Sequence, residues 1–233
     1  MDSVFGDIRL ALRRLRSSPG FALFAVISLA LGIGVSTAIY SAVRTLLWMP
    51  LGVSNAGELI GIGNRHVYPA MSWPDFQDFR AQQTTCTAVA AGAAMRTALR
   101  IGSVSQTVFG EAVSGQYFTV MGLRPRLGRL LVPQDEAASA HVVVLSEAFW
   151  RTRLNADVGV IGRTISLGGQ PFEVVGVIAG TFRGLELVLP QSIWVPATAV
   201  PSDPHVFGLT PDVLGQRRGP TFDVWARLRS TST

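Results

Sequence analysis

The stretch "HVVVLSEAFWRTRLNADVGVIGRTISLGGQPFEVVGVIAG", residues 141–180, holds both periodicities from which folds are built. Its β-branched start, Val142–Val144, passes at Ser146 into "SEAFWRTRL", where Phe149, Trp150 and Leu154 fall on one helical face. Ser146 stands where a side-chain oxygen can accept an orphan N–H of the first turn, so it reads as an N-cap. Beyond it, "TISL" and "FEVVGVI" are alternating runs joined across Gly168-Gly169, the pattern of an antiparallel hairpin. Strict alternation expects Val174, Gly176 and Ile178 on one face, with a bulge near Gly176. A strand, a helix and a hairpin in succession predict an α+β domain.

Working outward, the same grammar repeats. "SWPDFQDFRAQQ" (72–83) opens on a cap-like Ser72, has Pro74 in its first turn and spaces Trp73, Phe76 and Phe79 as a helix would. "ALRIGSVSQTVFGEAVS" (98–114) predicts two strands and "GQYFTVMG" (115–122) a short helix. "ELIGIGNR" (58–65), "SIWVPATAV" (192–200) and "FDVWARLR" (222–229) read as further strands. The stretch from 49 to 233 is ample for one core or for two small lobes, and two lobes are expected. Neither an internal repeat nor a βαβ dinucleotide pattern is visible.

Furthest out lies "FALFAVISLALGIGVSTAIYSAV" (21–43), without one charged residue or histidine. At about 1.5 Å per residue such a helix exceeds the roughly 30 Å hydrocarbon core of a bilayer. A cleaved signal has a shorter apolar region, and here the apolar chain runs on past the small residues Gly32, Gly34 and Ser36. A soluble core helix this uniformly apolar is unusual. The reading is a permanent membrane anchor. Arg9, Arg13, Arg14 and Arg16 precede it against Asp2 and Asp7, which keeps the N-terminus cytoplasmic and sends the rest across the membrane. Tyr40 and Trp48 suit the far interface, and Arg44 can snorkel there. Val4, Phe5, Ile8, Leu12 and Leu15 recur among the arginines as an amphipathic helix would. The expected organisation is a cytoplasmic amphipathic segment (1–20), a transmembrane helix (21–48) and a domain outside the cytoplasmic membrane (49–233). Ala30, Gly34, Ala38 and Ala42, with Ser28, Gly32 and Ser36 beside them, form small-residue stripes of the kind that pack against other membrane helices.

Charge and chemistry narrow the function. Residues 1–47 carry five arginines against two acids and the remainder fifteen against thirteen, so much of the net +5 is the topological signal of the N-terminus. No concentrated basic patch remains outside it, and nucleic acid is not an expected partner. "GLRPRLGR" (122–129) could present Arg124, Arg126 and Arg129 as a cationic edge, although a solvated loop is the simpler reading. The one cysteine, Cys86, allows neither an internal disulfide nor a cysteine metal cluster. His66, His141 and His205 lack ligand spacing. Ser146 lies near His141, but without a G-x-S-x-G elbow the N-cap explains it better. With no phosphate-binding loop there is no ATP site, and no catalytic, cofactor or metal residue is expected.

Several stretches together carry a family resemblance: "SLALGIGVSTAIYSAV", "SWPDFQDFR", "VSGQYFTVMGLRPRLGRLLVPQDE", "VVVLSEAFWRTRLNADVGVIGRTISLGGQPFEVVGVI", "TFRG" and "IWVPATA". In this order the sequence resembles the N-terminal part of MacB/FtsX-type permeases, namely the first transmembrane helix and the MacB-like periplasmic core domain. It is most similar to orphan permeases that lack a fused ATPase. It departs from them at "SAVRTLLWMPL", where the family more often has an Asn-containing segment leading to "RPLPY". The family's later transmembrane helices also have no counterpart before Thr233. The resemblance implies a non-enzymatic, inner-membrane component of an ATP-driven export or mechanotransmission system. It implies other permease helices or subunits, a separate cytoplasmic ATPase and periplasmic partner proteins, while the substrate stays open. The alternative is a single-pass anchored periplasmic binding or scaffold module uncoupled from any ATPase. Apolar spans encoded downstream of codon 233, or an ATPase gene nearby, would distinguish them.

Overall fold

The computed structural model describes residues 19–47, 52–62, 70–180, 182, 184–185, 190–200, 214–217 and 222–228, with the side chains of the first helix described as far as residue 41. The amphipathic segment, Arg44, Trp48, His66 and His205 lie outside what is described. The chain divides into two compact units, Met1–Met49 and Pro50–Thr233.

The first unit holds helix α1, Pro19–Leu47. Proline stands at its first position, where the missing N–H costs nothing. Its stretch Pro19–Ser41 is long and apolar enough to cross a membrane. Large apolar side chains from Phe21 to Tyr40 are exposed all around it, each by more than half. In water this surface would be untenable, whereas lipid is a solvent for it.

The described residues of the second unit form ten strands: β1 (Leu59–Ile62), β2 (Ala70–Met71), β3 (Cys86–Ile101), β4 (Val104–Val113), β5 (Pro125–Gly128), β6 (Val142–Leu145), β7 (Thr164–Leu167), β8 (Gln170–Ile178), β9 (Ile193–Pro196) and β10 (Phe222–Leu228). Among the described residues the short α-helices α2 (Trp73–Gln82), α3 (Tyr117–Met121), α4 (Pro133–Ala137) and α5 (Glu147–Arg153) accompany them. The strands join one sheet in the order β1-β10-β3-β4-β9-β6-β8-β5, with β2 on β10 and β7 bridging β8 to β3. Through β7, the ladders β3–β4–β9–β6–β8–β7–β3 close into a ring. The α+β class holds, and the expected lobes share this one sheet.

Period-two alternation sorts side chains to the sheet's two faces. Along β3, Val89, Ala91, Ala93, Met95 and Leu99 enter one hydrophobic cluster while Ala88 and Ala90 enter another. Trp73 and Phe76 of α2 and Phe149 and Trp150 of α5 join the first cluster. Tyr117, Phe118, Val120 and Met121 of α3, with Phe182, cover the second. Both N-caps form as read: Ser72 Oγ accepts from Asp75 N–H at 3.3 Å and Ser146 Oγ from Phe149 N–H at 3.1 Å.

The hairpin forms across Gly168-Gly169, with Thr164 opposite Glu173 and Leu167 opposite Gln170. Its facing needs correction. On β6, Val143 pairs with Val174 but Val144 pairs with Gly176, so β8 bulges at Val175. The extra residue inverts the alternation, and Phe172, Val174 and Val177 share one cluster while Val175 and Ile178 go to the other. Gly176 is required there, because a Cβ would collide with the Arg129 carbonyl. The strand read at 58–65 is described as Leu59–Ile62, and "SIWVPATAV" leaves the sheet after Pro196 for a 3-10 turn, Ala197–Ala199. β3 starts at Cys86, in an Ala-rich run that carries no strand signal of its own.

Candidate functional site

The chain comes into the second unit along β1 and leaves along β10, and these two strands pair antiparallel, Leu59 opposite Arg227 and Ile62 opposite Val224. The start of β1 and the end of β10 therefore lie side by side. The incoming stretch is tied down before it becomes a strand: Ser54 N–H donates to Met121 C=O at 3.3 Å and Ser54 Oγ to Gly122 C=O at 2.9 Å. Gly122, at φ +66°, ends α3, and a Cβ there would sit 2.8 Å from the Ser54 Cβ. Only glycine allows both the left-handed turn and this approach.

Arg227 locks the junction. Its Nε and Nη2 donate to Val120 C=O at 2.9 and 2.7 Å, and Nη2 also to Ser54 C=O at 2.8 Å. Its Nη1 reaches Glu58 Oε2 at 3.1 Å. One guanidinium on the outgoing strand thus holds the last turn of α3 and the incoming segment together, where a cation also suits the negative helix end.

Helix α3 is anchored in turn by a buried carboxylate. Glu111 Oε2 accepts from Tyr117 Oη at 2.7 Å and from Trp194 Nε1 at 3.1 Å. Burial, then the neighbouring Glu111, pushes the Tyr117 hydroxyl well above its ordinary range, so it remains a donor. Gly92 makes the room, since a Cβ there would run into Glu111 Oε1. A second buried acid, Glu136 on α4, accepts from Gly115 N–H at 2.7 Å and pairs with Arg80 of α2 at 3.0 Å.

The residues singled out from sequence fall elsewhere. Arg129 makes a bidentate pair with Asp135, Nη1 at 2.7 Å and Nη2 at 2.9 Å, so it is a structural clamp. Arg124 and Arg126 are exposed on and beside β5, with Arg126 close enough to Glu147 to favour its ionised form. Ser146 is buried at its cap and His141 stacks on Phe172 at 4.9 Å between ring centres, with no hydrogen bond between the two. No group of three or more His, Cys, Asp or Glu side chains able to hold a metal occurs among the described residues. Arg227 and Glu111 were missed in the sequence. The one available signal is charge inside an otherwise strand-like run, Glu111 in "VFGEAV" and Arg227, with Asp223, in "FDVWARL".

Fold and site define a class: an α+β domain preceded by a membrane-length helix, held where its incoming and outgoing strands meet. The chain belongs to the MacB-like periplasmic core domain family, whose sequence profile matches residues 22–233. It is 37% identical over 86 residues to the macrolide export ATP-binding/permease protein MacB of Aggregatibacter actinomycetemcomitans, covering 34% of this chain and 13% of that protein. It is 30% identical over 106 residues to MacB 1 of Aeromonas hydrophila, covering 45% and 16%. The chain thus matches only about a seventh of the length of these curated relatives. Among solved structures, the periplasmic region of MacB from Actinobacillus actinomycetemcomitans superposes with TM-score 0.54 at 21% identity, over 81% of this chain and 82% of that one. The extracellular domain of the noncanonic ABC-type transporter YknZ from Gram-positive bacteria gives 0.51 at 17% identity, over 75% and 83%. At these identities the likeness speaks to fold.

Proposed function

We propose that residues 49–233 are the periplasmic domain of an ABC-type permease, anchored by the helix at 21–48 with residues 1–20 on the cytoplasmic side. In this reading the domain is a non-catalytic part of an ATP-driven export or mechanotransmission system and works with other permease helices or subunits and a cytoplasmic ATPase. The observation that carries it is the β1–β10 junction closed by Arg227. A domain entered and left through adjacent, cross-linked strands takes up a movement of either connection as one body. Motion reaching Ser54 would be passed to α3 through Val120 and to the sheet through β10. Family membership supports the reading, as do the export ATP-binding/permease names of the relatives.

Two measurements test it. A reporter active only in the periplasm should work when fused after Leu228 and be silent when fused after Arg16; the reverse would overturn the orientation. In membranes that also contain the cognate ATPase, amide exchange in α3 should respond to nucleotide in the wild-type chain and cease to respond in Arg227→Ala. A response that survives this substitution would remove the junction from the mechanism.

A further inference from the structure

Unpaired strand edges are templates for other chains, and proteins ordinarily blunt them with proline, charge, a bulge or short length. The end strand β5 uses all of these: it is four residues long, opens on Pro125, carries Arg126 and is irregular between Pro125 and Leu127. β1, at the other end, is four residues long. The first half of β4 has none of these protections. Its residues Val104–Val108, "VSQTV", include no proline, glycine or charge. They pair with β3 on one side, while β9 joins the other side only from Gly110 onward. Among the described residues nothing pairs with that side of Val104–Val108, and Val104 is 64% exposed.

The ladder shows which backbone groups point outward. Phe109 C=O accepts from Ser192 N–H at 2.8 Å, so the backbone of Phe109 faces away from β3. Directions alternate along an antiparallel strand, so the N–H and C=O groups of Thr107 and Ser105 face the same way. The side chains of Ser105 and Thr107 share a face with Arg100, which lies opposite Ser105 on β3 and opposite Ser166 on β7. Both neighbours are too short to cover it. Arg100 is exposed and has no ion pair or side-chain hydrogen bond among the described residues. It also lines an open cleft of about 350 Å³ with Thr164 and Ser166.

We propose that Val104–Val108 is a strand-addition site for an extended, acidic segment of a partner protein. The segment pairs its backbone with Ser105 and Thr107, and its carboxylates on that face meet Arg100. An added strand lies roughly 10 Å from β3, two strand spacings away, a gap that an arginine and a glutamate side chain together close over Ser105. The site is separate from the Arg227 junction and stands without it.

The test uses the full chain in nanodiscs and three fluorescent hexapeptides: alternating Val-Glu, alternating Val-Lys, and Val-Glu with every second amide N-methylated. The Val-Glu peptide should bind at least about tenfold more tightly than Val-Lys, and N-methylation should abolish binding. Arg100→Gln should erase most of the preference for acid. Thr107→Pro removes one outward donor, leaves the inner ladder to β3 intact and should weaken binding about tenfold or more. Equal binding of plain and N-methylated peptides, indifference to charge, or no binding overturns the proposal, and the peptide comparison needs no variant to fold. A chain that is dimeric in nanodiscs and becomes monomeric with Thr107→Pro also overturns it, because the edge then belongs to a second copy.

Discussion

At the scale of single residues, two charges hold more of this domain than their number suggests. Removing the Arg227 side chain leaves the part-buried Val120 carbonyl and the exposed Ser54 carbonyl without this donor and breaks the pair with Glu58. Arg227→Ala should therefore lower unfolding stability by roughly 2–3 kcal/mol, measured by denaturant titration. Arg227→Lys should recover only part of it, because a point charge cannot serve a forked set of acceptors. Asp135 gives a pH signature. Burial opposes its ionisation, but the Arg129 fork and Val132 N–H outweigh burial and hold the carboxyl below the ordinary carboxylate range. A depressed folded pKa means that the stabilisation is complete above the unfolded value of about 3.9 and is lost as pH falls through the lower folded value. Melting curves of Asp135→Asn and wild type should thus lie apart at neutral pH and converge below about pH 4. Curves that stay equally far apart at acid pH would remove this ion pair from the account.

At the scale of elements, caps and bulges differ in what they tolerate. The Ser146 cap contributes one hydrogen bond at a helix start, so Ser146→Ala should cost about 1 kcal/mol, read as a shift of the denaturation midpoint. Gly176→Ala attacks the bulge of β8 itself. Its Cβ has no room beside the Arg129 carbonyl, and backbone cannot swing aside as a side chain can. It should cost more than the cap, about 2 kcal/mol or above. If Gly176→Ala proved the milder change, the bulge would not be the constraint described. The helix read at 72–83 stands on the same logic as the Ser146 helix, with cap, proline and apolar spacing all local, and it occurs as Trp73–Gln82.

At the scale of the whole molecule, the one membrane-length helix among the described residues satisfies its own backbone hydrogen bonds but encloses no polar route. No phosphate-binding loop occurs in the sequence. The purified chain, reconstituted in vesicles with ATP, should therefore neither hydrolyse ATP nor move substrate. Either kind of turnover would contradict the role as one component of a larger system. Its small-residue stripes lie on the helix and not in the domain, so mutations there should affect association in the membrane and leave the domain's melting unchanged.

What the sequence determined by itself was local in origin: the membrane-length helix, the α+β class, both N-caps and the Gly168-Gly169 hairpin. Each rests on residues a few positions apart, where periodicity and turn chemistry act directly. The tertiary structure alone decided which distant residues meet. Glu111 and Trp194 are 83 positions apart, and Arg227 and Ser54 are 173 apart. No local preference links such pairs; they meet because β4 lies beside β9 and β10 beside β1. The same holds for the face of β8, because a bulge answers to the register of β6 and reverses the alternation that the strand shows on its own. The closed ring and the β4 edge left unpaired among the described residues follow likewise from strand order, a choice made by burying the whole apolar surface at once.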